Sequence, residues 1–161
     1  MVIGNGLIAK QFQHFRNNNK ILIFASGVSN SNETSRLEFE REFKLLQNTI
    51  RDYKSLKIIY FSTASIYDRS SINRPYVQHK IKMEQLISEK ANSFLIFRVS
   101  NLVGKSKNKT TIINFFMNSI NNGYSITVWK NAERNIIDIS DAYQLILGDI
   151  NGEKKNKIIN I

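Results

Sequence analysis

The feature of this sequence that most constrains its fold is the alternation of short apolar runs with longer amphipathic stretches. Continuous apolar runs are typical of strands buried in a parallel sheet, and a period near 3.6 residues is typical of helices packed on it. The predicted strands cover residues 2–3, 20–25, 57–61, 94–97, 125–129, 135–139 and 157–161. The predicted helices cover residues 7–15, 33–53, 75–90, 111–121 and, capped by Ser140 or Asp141, a last stretch to about Leu147.

This alternation, in a chain with a single proline, indicates βαβ units. We therefore predict an α/β fold, a Rossmann-like parallel sheet with helices on both faces, as one domain over residues 1–161. In the long second helix we expect a buried stripe that includes Leu37, Phe43, Leu46 and Ile50. Such sheets bind ligands beyond the carboxyl ends of their strands, so the candidate chemistry lies there.

Composition excludes several classes of protein. The chain has no cysteine and only two histidines, His14 and His79, so we predict no metal site. The net charge of +10 favours anionic ligands, but the basic residues are scattered and carry no nucleic-acid-binding signature. We expect a site for a substrate diphosphate and no nucleic-acid partner. No apolar run approaches the roughly 18 residues that cross a bilayer, and the start lacks a basic leader, so we expect a cytoplasmic protein without a membrane partner.

The first candidate motif is a glycine turn between the first strand and the first helix. Gly4, Gly6 and Ala9 have the spacing G-x-G-x-x-A. Glycines let the backbone turn tightly and approach a pyrophosphate, which the free N–H groups of a helix start can bind. The same spacing also occurs in strand-to-helix turns for steric reasons alone, so this motif leaves both interpretations open.

Two further motifs follow in the middle of the chain. Tyr76 and Lys80 stand four residues apart on one helical face, where an ammonium group beside a phenol favours the phenolate and prepares a proton donor or acceptor. The hydroxyl-rich segment from Ser62 to Ser65 directly follows a predicted buried strand. The alternative interpretations are that Tyr76 and Lys80 are two exposed side chains on a helix and that Ser62 to Ser65 is an ordinary polar loop.

The order of the three motifs resembles that of the short-chain dehydrogenase/reductase superfamily. Four segments are similar to its extended branch, the sugar-nucleotide epimerases, dehydratases and reductases, and they occur in the order of that branch. These segments are Phe61–Tyr67, Phe97–Gly104, Arg134–Ala142 and Ile158–Asn160.

The resemblance implies an NAD(P)-dependent epimerase, dehydratase or ketoreductase that acts on a nucleotide-linked sugar, in cell-surface polysaccharide synthesis, and that forms a homodimer. Tyr76 would be the general acid/base, Lys80 would support it and bond the nicotinamide ribose, and Thr63 would orient the substrate oxygen. The implied residues for NAD or NADP are Gly4, Asn5, Gly6, Leu7, Ile8, Ser26, Gly27, Ser62 and Lys80. The implied substrate residues are Ser65, Asn101, Lys105 and Arg134, and Lys107 and Lys109 could help to gather the phosphates.

Departures from the family leave a second hypothesis open. Residues 21–27 follow the first helix at once and resemble the fourth strand of the family, which predicts a sheet shortened on the adenine-binding side. No clear acidic residue stands about 20 residues past the glycines, where one would bond the adenosine ribose. The small substrate lobe of extended members also has no counterpart here. The alternative is a non-catalytic Rossmann domain that binds a nucleotide or a partner chain and has lost cofactor binding.

Overall fold

A computed structural model describes residues 1–105, 111–128 and 130–161 of the chain. Its strands are β1 (Val2–Ile3), β2 (Ile21–Phe24), β3 (Lys57–Thr63), β4 (Phe94–Val99), β5 (Asn101–Val103), β6 (Ile136–Asp138) and β7 (Lys157–Asn160). Its α-helices are α1 (Leu7–Gln11), α2 (Arg36–Asp52), α3 (Pro75–Lys90), α4 (Ile112–Asn121) and α5 (Ile139–Asn151). Short 3₁₀ segments cover Gln13–Phe15 and Ala64–Tyr67.

Five strands form one parallel sheet in the order β1-β2-β3-β4-β7, and β5 pairs with β6 in a separate parallel sheet. A complete doubly wound sheet has the order 3-2-1-4-5-6. The order found here corresponds to strand 1 of the complete sheet followed by the strands on its 4-5-6 side. β1 therefore lies at the edge of the sheet, where strands 2 and 3 of a complete sheet would pair. The predicted Rossmann-like sheet, shortened on the adenine-binding side, is confirmed.

The helices cover both faces of the sheet because successive strand residues point to opposite sides. On one face Ile23 packs in an apolar core with Ile146 of α5. On the other face Leu22 packs in a second core with Leu46 of α2 and Met83 of α3. Strands β2, β3 and β4 are thus buried on both sides, as their continuous apolar runs predicted, whereas β7 at the sheet edge is largely exposed.

Three predictions about individual elements are wrong. Residues 125–128 form no strand, and the strand that pairs with β5 is β6. Trp129, the last residue of the predicted strand, lies outside the described residues. Leu37 is 77% exposed, on the side of α2 that faces away from the sheet. Helix α5 is capped by Asp138, whose carboxylate accepts the N–H of Ser140 at 2.7 Å, and not by Ser140 or Asp141.

The carboxylate of Glu42 joins α2 to α3, to β3 and to the loop after β2. It accepts hydrogen bonds from the Tyr60 hydroxyl and the Val28 N–H, both at 2.7 Å. Its two oxygens lie 3.0 Å from Lys80 Nζ and 3.0 Å from His79 Nε2. Burial raises the pKa of Glu42, but the charge of Lys80 and these hydrogen bonds together lower it to about 2. Glu42 therefore stays ionised although it is fully buried.

The turn after β1 requires glycine at position 4. Gly4 has a φ of +122°, which side chains rarely tolerate, and a Cβ there would lie 2.3 Å from the carbonyl oxygen of Ala25. Gly148 in α5 offers a contrast, since a Cβ at this position would meet no atom within 4 Å.

We expect Gly4→Ala to lower the free energy of unfolding by roughly 2 kcal/mol or more, because the new methyl group adds a clash to a strained backbone. The matched variant Gly148→Ala should raise the same free energy by about 0.5 to 1 kcal/mol, since alanine is the better helix residue. Urea unfolding of both variants measures the two changes. If Gly4→Ala were as stable as Gly148→Ala, the assignment of strain to Gly4 would be wrong.

We expect Glu42→Gln to lower the free energy of unfolding at neutral pH by about 3 kcal/mol, because Lys80 would remain buried without its counter-ion. The pKa of Glu42 is lower in the folded state, so its stabilising contribution is complete above the ordinary pKa of 4.5 and is lost as the pH falls toward about 2. The difference between wild type and variant should therefore shrink over that interval. Urea unfolding at a series of pH values measures it.

Glu40→Gln is the matched control on the same helix. Glu40 forms a solvent-exposed ion pair with Arg36, so its replacement should change the free energy of unfolding by less than about 0.5 kcal/mol at any pH. A pH dependence shared by the Glu40 and Glu42 variants would contradict the role given to Glu42.

Candidate functional site

A polar cavity of about 160 Å³ brings together four residues that were singled out in the sequence. Tyr76, Ser65, Asn101 and Arg134 line it. Ser65 follows β3, Asn101 begins β5 directly after β4, and Tyr76 lies in the first turn of α3. The cavity therefore lies at the carboxyl ends of the strands, where parallel sheets bind ligands. Its other lining residues are Ser31, Asp68, Ser71, Arg74 and Val77.

The start of α3 places the phenol of Tyr76 in the cavity. Pro75 occupies the first helical position, where its fixed φ suits a helix and its missing N–H leaves no donor unpaired. Tyr76 follows, with only 8% of its surface exposed. Lys80 stands one turn later, and its Nζ lies 5.8 Å from the centroid of the Tyr76 ring. The structure thus places the two side chains next to each other.

The ammonium group of Lys80 is engaged in hydrogen bonds that the sequence did not indicate. Its Nζ donates to Glu42 at 3.0 Å and to the Tyr60 hydroxyl at 3.1 Å. Burial and the charge of Glu42 raise the pKa of Tyr60, which therefore keeps its proton. A Cβ at Gly27 would lie 2.8 Å from both Lys80 Nζ and Glu42 Oε1. Glycine at this position lets the ion pair pack against the backbone that follows β2.

The two hydroxyls at the end of β3 have different surroundings. Thr63 Oγ1 accepts the N–H of Ser65 at 3.1 Å and so caps the 3₁₀ segment, although Thr63 itself does not line the cavity. Ser62 Oγ is buried and has no hydrogen-bond partner among the described residues. Because an unpaired buried hydroxyl costs free energy, Ser62 is a candidate hydrogen-bond partner for a ligand at this edge.

The glycine turn lies at the carboxyl end of β1. Gly4 touches the Ala25 carbonyl, which leads directly into Ser26 and Gly27 after β2. Asn5 and Gly6 are exposed, and a Cβ at Gly6 would meet nothing within 4 Å. Leu7 and Ile8 then begin α1 and are half-buried. The backbone at the start of α1 is therefore open to a ligand.

The charged groups of the cavity give it a positive balance. Asp68 has its pKa lowered to about 2 by hydrogen bonds from the side chain of Ser70, the hydroxyl of Ser71 and the backbone N–H of Ser70. Against this one carboxylate the lining contains the guanidinium groups of Arg74 and Arg134. The side-chain amide of Asn101 donates to a backbone carbonyl at 2.8 Å.

Of the three lysines predicted to gather phosphates, the structure describes Lys105. Lys105 is exposed and does not line the cavity. Lys107 and Lys109 lie outside the described residues.

A second phenol stands at the same edge of the sheet. Tyr67 is 60% exposed, donates to Asn160 at 3.1 Å and accepts from Arg98 at 2.6 Å. The hydrogen bond accepted from the Arg98 guanidinium, together with its charge, lowers the pKa of Tyr67. Arg98 also forms a bidentate pair with Glu84, at 3.0 and 2.6 Å. The group therefore fixes the ends of β4 and β7 against α3.

Sequence analysis missed two residues that bear on the site. Arg74 directly precedes Pro75 and Tyr76, so its position could have been inferred from theirs. Glu42 precedes Leu46 by four residues and lies on the same buried face of α2, so this spacing was the signal that could have identified it.

In the described part of the chain, no group of three or more His, Cys, Asp or Glu side chains could hold a metal ion. Across those ranges no helix has the length and apolar character to cross a membrane.

The NAD dependent epimerase/dehydratase family model matches residues 21–161. Similar solved structures include RMD from Pseudomonas aeruginosa complexed with NADPH, at 13% identity and a TM-score of 0.74 over 99% of this chain and 74% of that chain. DesIV, a dTDP-glucose 4,6-dehydratase from Streptomyces venezuelae with NAD bound, has 14% identity and a TM-score of 0.73, over 96% and 55%. UDP-glucose 4-epimerase from Thermotoga maritima with UDP-glucose has 15% identity and a TM-score of 0.67, over 96% and 59%.

These comparisons establish the fold and the family. No curated protein matches the chain. At such low identities the likeness to the solved structures shows the shared fold, and the chain spans only 55% and 59% of the DesIV and epimerase chains. The family match, in contrast, extends over most of the sequence. The chain belongs to the NAD-dependent epimerase/dehydratase family.

Proposed function

We propose that the chain is an NAD(P)-dependent epimerase, dehydratase or ketoreductase of a nucleotide-linked sugar. The observation that carries this proposal is that Tyr76, Ser65, Asn101 and Arg134 line one and the same polar cavity. Family membership supports it, as do the related structures that hold NAD, NADPH or UDP-glucose. A role in cell-surface polysaccharide synthesis stays a prediction from the resemblance.

The cofactor that we propose is NAD or NADP, and the residues present fit it. The unpaired hydroxyl of Ser62 and the open backbone at Gly6 are features that a bound dinucleotide would satisfy. The residues proposed to hold it are Gly4, Asn5, Gly6, Leu7, Ile8, Ser26, Gly27, Ser62 and Lys80. When bound, the cofactor supplies hydride chemistry, and the protein supplies orientation and proton transfer.

In the proposed mechanism Tyr76 moves the proton. Its phenol lines the cavity and would exchange a proton with a sugar hydroxyl or keto oxygen. Ser65 lines the same cavity, and its N–H donates to Thr63 Oγ1, which fixes its position. The hydroxyls of Ser65 and Tyr76 together would orient that oxygen. Lys80 keeps a positive charge beside the phenol ring, and Glu42 fixes where this charge lies.

On the other side of the cavity, Arg134 and Asn101 would bind the substrate diphosphate. A guanidinium group can form two parallel hydrogen bonds to phosphate oxygens. Lys105, which is exposed near the end of β5, would add a positive charge without direct contact with the cavity.

One observation favours the second candidate, a non-catalytic nucleotide-binding or interaction domain. The hydrogen bonds of Lys80 go to Glu42 and Tyr60, so this ammonium would bind a ribose only by sharing or exchanging these partners. Under this candidate the ion pair would have a structural role, and cofactor binding would be lost.

A homodimer, predicted by analogy with the family, would use the outer face of α2 and α3. A depression of about 670 Å³ lies between these helices and includes Phe39, Phe43 and Ile81. Leu37 is 77% exposed on α2. These apolar groups support the proposed contact between two copies of the chain.

We expect Tyr76→Phe to lower turnover of a nucleotide sugar by at least about 100-fold, because the variant cannot exchange a proton at that position. Binding of the cofactor should be unchanged. Chromatographic separation of the product from the substrate measures turnover, with UDP-glucose and dTDP-glucose as trial substrates and cofactor present. Tyr53→Phe is the control, since Tyr53 is an exposed tyrosine at the end of α2. Full turnover by the Tyr76 variant would contradict the proposed role.

We expect Ser62→Ala to keep the free energy of unfolding within about 0.5 kcal/mol of wild type, because no hydrogen bond to the described residues is lost. The same variant should weaken NADH or NADPH binding by roughly threefold to tenfold. Fluorescence titration measures the affinity, and Ser88→Ala on the exposed face of α3 is the control. A wild-type protein without a saturable signal for either cofactor would favour the non-catalytic candidate.

A further inference from the structure

The cavity contains a second guanidinium group, that of Arg74, to which the sequence motifs gave no role. Arg74 immediately precedes α3 and stands two residues before Tyr76, and both residues line the cavity. Its side chain donates one hydrogen bond, to the Asn32 amide oxygen at 3.5 Å, which is at the outer limit of such bonds. Within the three described ranges, Arg74 forms no salt bridge.

The one carboxylate of the cavity leaves the charge of Arg74 unbalanced. Asp68 uses one oxygen to accept from the N–H and hydroxyl of Ser70, at 2.9 and 2.7 Å, and the other to accept from Ser71 at 2.8 Å. Asp68 keeps its single negative charge, which interacts with Arg134, so one carboxylate faces two guanidinium groups in the cavity lining. The first turn of α3 contains no acidic residue and no side-chain cap, so nothing there offsets Arg74 either.

The two guanidinium groups reach the cavity from different elements. Arg134 lies just before β6, close to Asn135, which accepts a hydrogen bond from Asn101. Arg74 belongs to the start of α3, where the proposed proton donor Tyr76 also lies. If the diphosphate is bound by Arg134 and Asn101, Arg74 is the cation on the side where the sugar would react.

We propose that Arg74 binds a carboxylate group of the sugar, so that the substrate is a nucleotide-linked uronic acid or a similar acidic sugar. This inference rests on the proposed function and adds a substrate class to it. Arg74 is exposed to solvent, and the planar fork of arginine matches the two oxygens of a carboxylate. A neutral sugar would leave the guanidinium without an ionic partner.

The experiment compares two probes, UDP-glucuronate and UDP-glucose. UDP-glucuronate carries a carboxylate at the position where UDP-glucose carries a hydroxymethyl group. Dissociation constants are measured by calorimetry on the wild-type chain with NAD present. We expect UDP-glucuronate to bind roughly tenfold more tightly. Arg74→Gln should remove this preference and leave UDP-glucose binding unchanged, whereas Arg74→Lys should keep part of it. Arg16→Gln removes the same charge from an exposed site away from the cavity and is the control.

Each other outcome has a defined meaning. Equal weakening of both probes by Arg74→Gln would assign Arg74 to the diphosphate, which overturns this inference and leaves the proposed function intact. A preference for UDP-glucuronate that survives in Arg74→Gln, or no preference in the wild type, also overturns it. Binding of neither probe by the wild type overturns the inference and the proposed function together.

Discussion

The geometry at the carboxyl ends of the strands, here called the carboxyl edge, depends on the contacts of one ionised side chain, the carboxylate of Glu42. It is fully buried, and its bonds to Lys80, His79 and Tyr60 fix α3 against α2 and β3. The position of α3 in turn decides where the phenol of Tyr76 lies. A buried charge is costly unless it is paired and hydrogen-bonded, and here every neighbouring element contributes a partner. The site is therefore held by electrostatics as well as by apolar packing.

The carboxyl edge has two regions with different chemistry, and the ion pair lies between them. On one side are the glycine turn, Gly27 and the unpaired hydroxyl of Ser62, which offer backbone and little charge. On the other side is the positive cavity that contains Tyr76 and Arg134. This division suits the proposed function, in which a dinucleotide and a sugar nucleotide would bind side by side and react where the two regions touch.

The sequence predicted those features that depend on local chemistry. Apolar runs located the strands of the main sheet, and Pro75 marked the start of α3, so the surroundings of Tyr76 could be anticipated. Residues 125–129 were also predicted as a strand, but local sequence did not decide the outcome, since residues 125–128 form none. Likewise Glu42 and Leu37 belong to one amphipathic helix, and only tertiary packing decides that the charge is buried and the leucine exposed. The engagement of Lys80 by Glu42 followed from that same packing.

The parallel pairing of the main sheet also determines how the chain must fold. Val2 pairs with Ile23, Ile58 with Phe94 and Leu95 with Lys157, so no two paired strands are joined by a hairpin. Each pairing has to close a long loop, at an entropic cost, before its hydrogen bonds form. During synthesis β4 can gain its second neighbour only after residue 160 has left the ribosome. Until then the nascent chain exposes an apolar strand edge, so slow folding and exposure to aggregation follow from the topology itself.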